Sequence, residues 1–191
     1  MSLPFACRVA AIRRARGFTL IEMLTTVAVV AVTTTVGVPA LNGFVTGNRA
    51  AGQVNTLIAA LNYARSEAVS SAREVSLCPY LENTAASAPA DRYRCSSSTT
   101  WSQGWIVFRS VLDEAGNATG SREVLRVFGP LASGDALTAT VSTVTYLPTG
   151  FLADGGSSPQ FSLIPQACAA SQRRNVSLSL QGQAHVDSAH C

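Results

Sequence analysis

One carboxylate at the head of a long uncharged apolar run limits this chain more than anything else in it. Gly17-Phe18-Thr19-Leu20-Ile21-Glu22 leads straight into residues 23–38, which carry no charge. An ionised side chain at the centre of a membrane helix costs roughly 2.5–3.5 kcal/mol, so a glutamate near the start of such a segment needs an electrostatic partner. A cut after Gly17 would supply one. Phe18 would become a new N-terminus bearing an ammonium, with Glu22 about one helical turn away.

The residues before Gly17 fit a discarded leader. Arg8, Arg13, Arg14 and Arg16 lie there without an acid, and removing those four from the 14 basic residues leaves ten against 11 acids. The formal charge of +3 therefore belongs to the leader, and bulk attraction to nucleic acid loses its basis. Basic flanks stay cytoplasmic, which predicts that the chain beyond residue 38 lies outside the inner membrane. A conventional secretory signal is also basic and then apolar, but its cut follows the apolar part, whereas Gly17 precedes it. The run 18–38 makes ~31 Å of helix, enough to span the hydrocarbon layer. Thr25, Thr26, Thr33, Thr34 and Thr35 temper it, with hydroxyls able to bond to preceding carbonyls or to neighbouring helices. A kink is expected at Pro39, and Gly43, Gly47 and Gly52 weaken the helix after it.

The set of basic leader, Gly17, Phe18 and Glu22 resembles the class III signal of type IV pilins and of the pseudopilins of type II secretion. That resemblance implies cleavage by a membrane prepilin peptidase after Gly17 and methylation of Phe18. It also implies a role for Glu22 in pairing with the amine of a neighbouring subunit during filament assembly. Leu61-Asn62-Tyr63-Ala64-Arg65-Ser66-Glu67-Ala68-Val69 and Trp101-Ser102-Gln103-Gly104-Trp105-Ile106-Val107-Phe108 are similar to words of the GspH/FimT/FimU branch. The implied organisation is a leader over 1–17, a membrane and assembly helix over 18–39, the outer half of that helix over 40–73 and a periplasmic β-rich domain over 74–191. Other minor pilins or pseudopilins and the inner-membrane assembly platform are the implied partners. The product is expected in the inner membrane as a single-pass protein, then in a pilus or pseudopilus.

The residues beyond the apolar run support an α+β fold, a long N-terminal helix packed on an antiparallel sheet. Val54, Leu57, Ile58, Leu61, Ala64, Ala68 and Val69 recur at spacings of three and four, an apolar stripe that predicts an amphipathic helix over 53–73. Arg65 and Glu67 are two apart, do not face each other, and read as a solvated face. Strands are predicted over 74–80, 105–108, 123–128, 141–147, 160–164 and 175–180, with a polar loop over 81–100 and a turn over 113–117. In the last of these strands Val176, Leu178 and Leu180 alternate with Ser177 and Ser179, giving one buried and one wet face. Trp101, Trp105 and Phe108 read as core.

Cysteine parity agrees with the cut. Of five cysteines Cys7 lies in the leader, leaving Cys78, Cys95, Cys168 and Cys191. An oxidising compartment permits three pairings, of which Cys78 with Cys95 and Cys168 with Cys191 close local loops. The second bridge resembles the C-terminal disulfide loop of many pilins. His185, Asp187, His190 and Cys191 cluster without zinc spacing, so no metal and no cofactor is expected. The sequence lacks a Gly-x-Ser-x-Gly elbow, a phosphate-binding glycine loop and a His-Glu-x-x-His pair, so no enzymatic activity is expected. Some FimT-like members bind DNA through arginines near the C-terminal strand. Arg173 and Arg174 are the candidate DNA-binding pair, but Gly182-Gln183-Ala184-His185 follows the strand without arginines, and the pair reads instead as a strand-edge turn.

Overall fold

The computed structural model of the protein describes residues 17–191, apart from 116, 133, 154–157, 167 and 169–171; side chains at 36–40, 89, 90 and 118 lie outside it as well. The leader expected over 1–17 is thus outside the described residues except for Gly17. The chain divides into two compact units, Met1–Leu41 and Asn42–Cys191. Helix α1 (Leu20–Ser71) begins in the first and ends in the second. The helix runs on past Pro39, since a proline deletes a single N–H, and the glycines at 43, 47 and 52 are tolerated within it. Among the described residues no helix is long and apolar enough to cross a membrane. The span expected over 18–39 includes positions 36–39, whose side chains are not described.

The second unit carries its own core. Among the described residues nine strands follow α1: β1 (Val75–Glu82), β2 (Tyr93–Cys95), β3 (Trp105–Leu112), β4 (Ala118–Phe128), β5 (Ala136–Ala139), β6 (Val144–Tyr146), β7 (Gln160–Ile164), β8 (Arg173–Leu178) and β9 (Ala184–Ala189). A one-turn helix α2 (Pro89–Arg92) precedes β2. One antiparallel sheet runs β2-β1-β3-β4, with β6 also on β1, and the other runs β5-β7-β8-β9. The stripe of α1 that meets them is Ala50, Val54, Leu57, Ala60, Leu61, Ala64 and Ala68, all buried. Four of these seven are alanines, whose small side chains let the helix backbone come close to the sheets. Val69, expected in the stripe, is instead 53% exposed, and Leu180 is 44% exposed because β8 ends at Leu178.

Trp101 couples the two sheets. Its ring meets Phe161 of β7 edge-on at 5.1 Å and Trp105 of β3 at 6.5 Å, while its indole N–H donates to the Val141 carbonyl at 3.2 Å. Both tryptophans are core residues, as expected. Between them Gly104 has φ +102°, and a Cβ there would sit 2.4 Å from the Phe128 carbonyl oxygen. The Trp-x-x-Gly-Trp word is therefore a turn that only glycine can make.

Three sequence expectations change. The loop expected over 81–100 holds α2 and β2, and β2 pairs with β1 through Tyr80 and Cys95. β5 was not foreseen because four residues with one buried side chain give no period to read. The strand expected to be last is followed by β9, whose exposed sequence Ala-His-Val-Asp-Ser-Ala has no alternation and is held by register with β8. The turn over 113–117 is present, with the Asp113 carboxylate accepting from the backbone N–H groups of Ala115 and Asn117.

Candidate functional site

Gly17, Phe18 and Thr19 precede the first turn of α1 in non-helical backbone, and Phe18 is 77% exposed. Thr19 is the N-cap. Its hydroxyl oxygen accepts from the Glu22 N–H at 3.3 Å, and the Glu22 carboxylate accepts from the Thr19 N–H at 3.5 Å, a reciprocal capping box. The carboxylate is thereby turned back toward the start of the helix, where the macrodipole favours negative charge. It faces the side on which a Phe18 amine would appear.

Beyond it, as far as Thr35, the helix has no charged face. Phe18, Leu20, Ile21, Met23, Leu24, Val27, Val29, Val30 and Val32 are all more than half exposed. The threonines do not break this surface. Thr25, Thr26, Thr33, Thr34 and Thr35 donate their hydroxyls to the carbonyls of Glu22, Met23, Val29, Val30 and Val32, at 2.8–3.0 Å. Each therefore spends its polar group on its own helix and turns a methyl outward. A helical segment that is apolar on every side must be covered by lipid or by other helices. Covering nine such side chains is worth roughly 1.5 kcal/mol or more apiece.

The second unit is held by polar clasps that the sequence did not announce. Asp135 is buried, and its carboxylate accepts from Arg49 at 2.8 Å, from the Gln53 amide at 2.9 Å and from the Gln166 backbone N–H at 2.9 Å. Arg49 and Gln53 are four apart, hence on one helix face, beside the apolar positions Ala50 and Val54. That spacing was the only local hint, since the acid lies more than eighty residues away. Further along α1, Arg65 donates to the Gly150 carbonyl at 3.0 Å and Glu67 pairs with Arg109 of β3 at 3.2 Å. The solvated face expected for Arg65 and Glu67 is instead a polar seam to the sheet, because α1 is flanked on both sides of its stripe. Arg109 also holds Glu123 at 2.8 Å, and that hydrogen bond keeps the Glu123 carboxyl below its ordinary value. Gln172 donates to the Gly43 carbonyl at 2.9 Å.

Cys78 is bonded to Cys95 and Cys168 to Cys191, with Cα separations of 5.5 and 5.9 Å. The first staples β1 to β2, and the second ties the segment before β8 to the chain's last residue. Arg173 and Arg174 are the first two residues of β8, not a turn. Neighbours in a strand point to opposite faces, so the structure separates them. Arg173 donates to Ser162 at 2.9 Å, and Arg174 is opposite Leu163 in the register. His185 lies 3.4 Å from Asp187 on the exposed strand β9, and no group of three His, Cys, Asp or Glu among the described residues is placed to hold a metal.

Two families match the chain. The family described as Type II transport protein GspH covers residues 53–182, and the prokaryotic N-terminal methylation motif covers residues 12–38. Among solved structures, the type IV minor pilin FimU of Pseudomonas aeruginosa is 22% identical with a TM-score of 0.52, the match covering 73% of this chain and 89% of that one. The minor pseudopilin EpsH of the type 2 secretion system of Vibrio cholerae is 11% identical with a TM-score of 0.45, covering 73% and 97%. A comparison with curated protein sequences found no match.

Proposed function

Given that the chain belongs to the GspH family and is a minor pilin or pseudopilin with a pilin-like α+β fold, we propose that it initiates or caps a type IV pilus-like filament from the inner membrane. Prepilin peptidase cuts between Gly17 and Phe18, the amine of Phe18 is methylated, and the helix over 18–39 stays in the membrane as a single span. The β-rich domain then stands in the periplasm as a non-catalytic subunit. Its partners are other minor pilins and the assembly platform of the inner membrane.

The observation that carries this reading is the state of Glu22. It is the one charged residue of the segment 18–38, whose described side chains are otherwise uncharged and largely exposed, and it is turned to the end where processing would create an ammonium. In a covered, low-dielectric setting that charge is tolerable only when paired, so subunits dock in the register that brings Glu22 to a neighbour's Phe18 amine. Mass spectrometry of the protein from its native membrane should find a methylated Phe18 at the N-terminus. Glu22→Ala should leave insertion and cleavage intact and reduce incorporation into filaments at least tenfold. Unchanged incorporation would refute the pairing.

A place in type II secretion is the second reading, favoured by the description of the matching family. The bridge from Cys168 to the last residue supports the pilus side, because it resembles the C-terminal loop of pilins. Deleting the gene and scoring sheared surface pili beside secreted enzymes separates the two. Loss of pili with secretion intact is expected, and the reverse result would move the protein to the secretion machine.

A further inference from the structure

Two arginines of the second unit lie in no ion pair among the described residues, and they line the same cavity. Arg94 of β2 and Arg122 of β4 line a cavity of about 330 Å³ together with Asp91 of α2, Gly120 and Ser121. Among the described residues neither guanidinium lies in an ion pair, although the neighbouring Arg92 is paired with Glu82 at 2.8 Å. One nitrogen of Arg122, Nη1, is buried with no hydrogen-bond acceptor. A buried donor without an acceptor costs about 1–3 kcal/mol, more when charged, so this arrangement is expensive as it stands.

Arg122 is also fixed in place. Its guanidinium lies 5.4 Å over the Phe108 ring, and Phe108 packs on the cluster of Cys78, Tyr80 and Ile106 behind the first sheet. A stacked planar fork gives up little further freedom when it binds. Asp91 is the only acid on the cavity wall among the described residues, which sets two cations against one anion there.

From this geometry we propose that the cavity between α2, β2 and β4 binds the oxyanion end of a ligand, a phosphate or carboxylate group, with Arg94 and Arg122 as its two forks. The space is about ten times a water's share of the liquid, so the ligand extends beyond a bare oxyanion. Asp91 opposes the anion and sets its affinity.

The test is titration of the full chain in detergent with sodium phosphate and with sodium acetate, ionic strength held constant with sodium chloride. Binding is read by calorimetry and by the Ser121 amide resonance. Saturable binding in the millimolar range or tighter is expected. Tighter phosphate binding would mark a phosphate ligand, tighter acetate binding a carboxylate, and either supports the site. Arg94→Gln, at an exposed position outside the core, should weaken binding at least tenfold. Asp91→Asn should strengthen it about threefold, since a like charge is removed. Arg122→Lys, which keeps the charge but loses the fork, should also weaken it. The proposal is overturned if neither anion saturates, if chloride alone gives the same response, or if Arg94→Gln and Asp91→Asn leave the affinity unchanged.

Discussion

Replacing Asp135 by alanine probes the clasp between α1 and the second sheet. The carboxylate is fully buried and accepts three hydrogen bonds, while the Arg49 side chain is 39% exposed. Hydrogen bonds to a charged group are worth about 1.5–3 kcal/mol each, but desolvating the carboxylate costs several kcal/mol that its removal returns. Arg49, half in water, re-solvates readily, whereas the Gln53 amide and the Gln166 N–H lose their acceptor in the interior. The net loss works out at ~3 kcal/mol. Asparagine should do much less harm. The Gln53 carbonyl oxygen is buried without a partner, and turning that amide over would let it accept from the new side-chain NH₂. Asp135→Asn should therefore cost ~1 kcal/mol, and Arg49→Ala about the same. The assay is urea unfolding of residues 42–191 with both disulfides intact, followed by tryptophan fluorescence from the buried Trp101 and Trp105. Among the described residues every buried hydrophobic side chain lies between Ala50 and Leu178, within this unit. For about 150 residues a loss of ~3 kcal/mol lowers Tm by roughly 6–12 °C. The reasoning fails if Asp135→Ala costs under ~1 kcal/mol, or if Asn is as damaging as Ala.

Three further outcomes are open to the same assay. Gly104→Ala should destabilise by ~3 kcal/mol or more, since the added Cβ meets the Phe128 carbonyl at 2.4 Å and φ is +102°; a smaller loss would mean that the turn can move. Ala72 closes α1 with φ +52° and the Arg73 N–H bonded to the Ala68 carbonyl, so Ala72→Gly should stabilise by ~0.5–1 kcal/mol, seen as a higher urea midpoint. Burial pushes the Tyr146 phenol up from 10.0 to about 12, and its hydroxyl reaches the Gly182 carbonyl. Because the folded value is the higher one, this contribution is complete below about pH 10 and is lost as pH climbs towards 12, a fall of ~2–3 kcal/mol. Tyr146→Phe should flatten that limb, and an unchanged alkaline slope would count against the assignment.

The chemistry of the N-terminal end could be read from the chain directly because every part of it is local. A cap three residues before a glutamate, hydroxyls three or four residues after their carbonyls, and an apolar surface on every side follow from one helix and its own sequence. The stripe from Val54 to Ala68 was legible for the same reason, and the two disulfides close loops of 17 and 23 residues. Ala50 and Ala60 were missed because alanine suits a helix on any face.

Tertiary structure decided whatever depends on a distant partner. Arg65 and Glu67 look solvated until Gly150 and Arg109 arrive beside them, and Arg173 and Arg174 look like a pair until strand geometry sends them to opposite faces. β5 and β9 have no pattern of their own and take their strand form from the strands they join. Asp135 is the extreme case: a lone acid after a glycine, it becomes the anchor of a helix 82 to 86 residues earlier only once the core has brought them together. A periodic pattern records which way a side chain faces, but a single polar residue carries no mark of which buried donor it will meet.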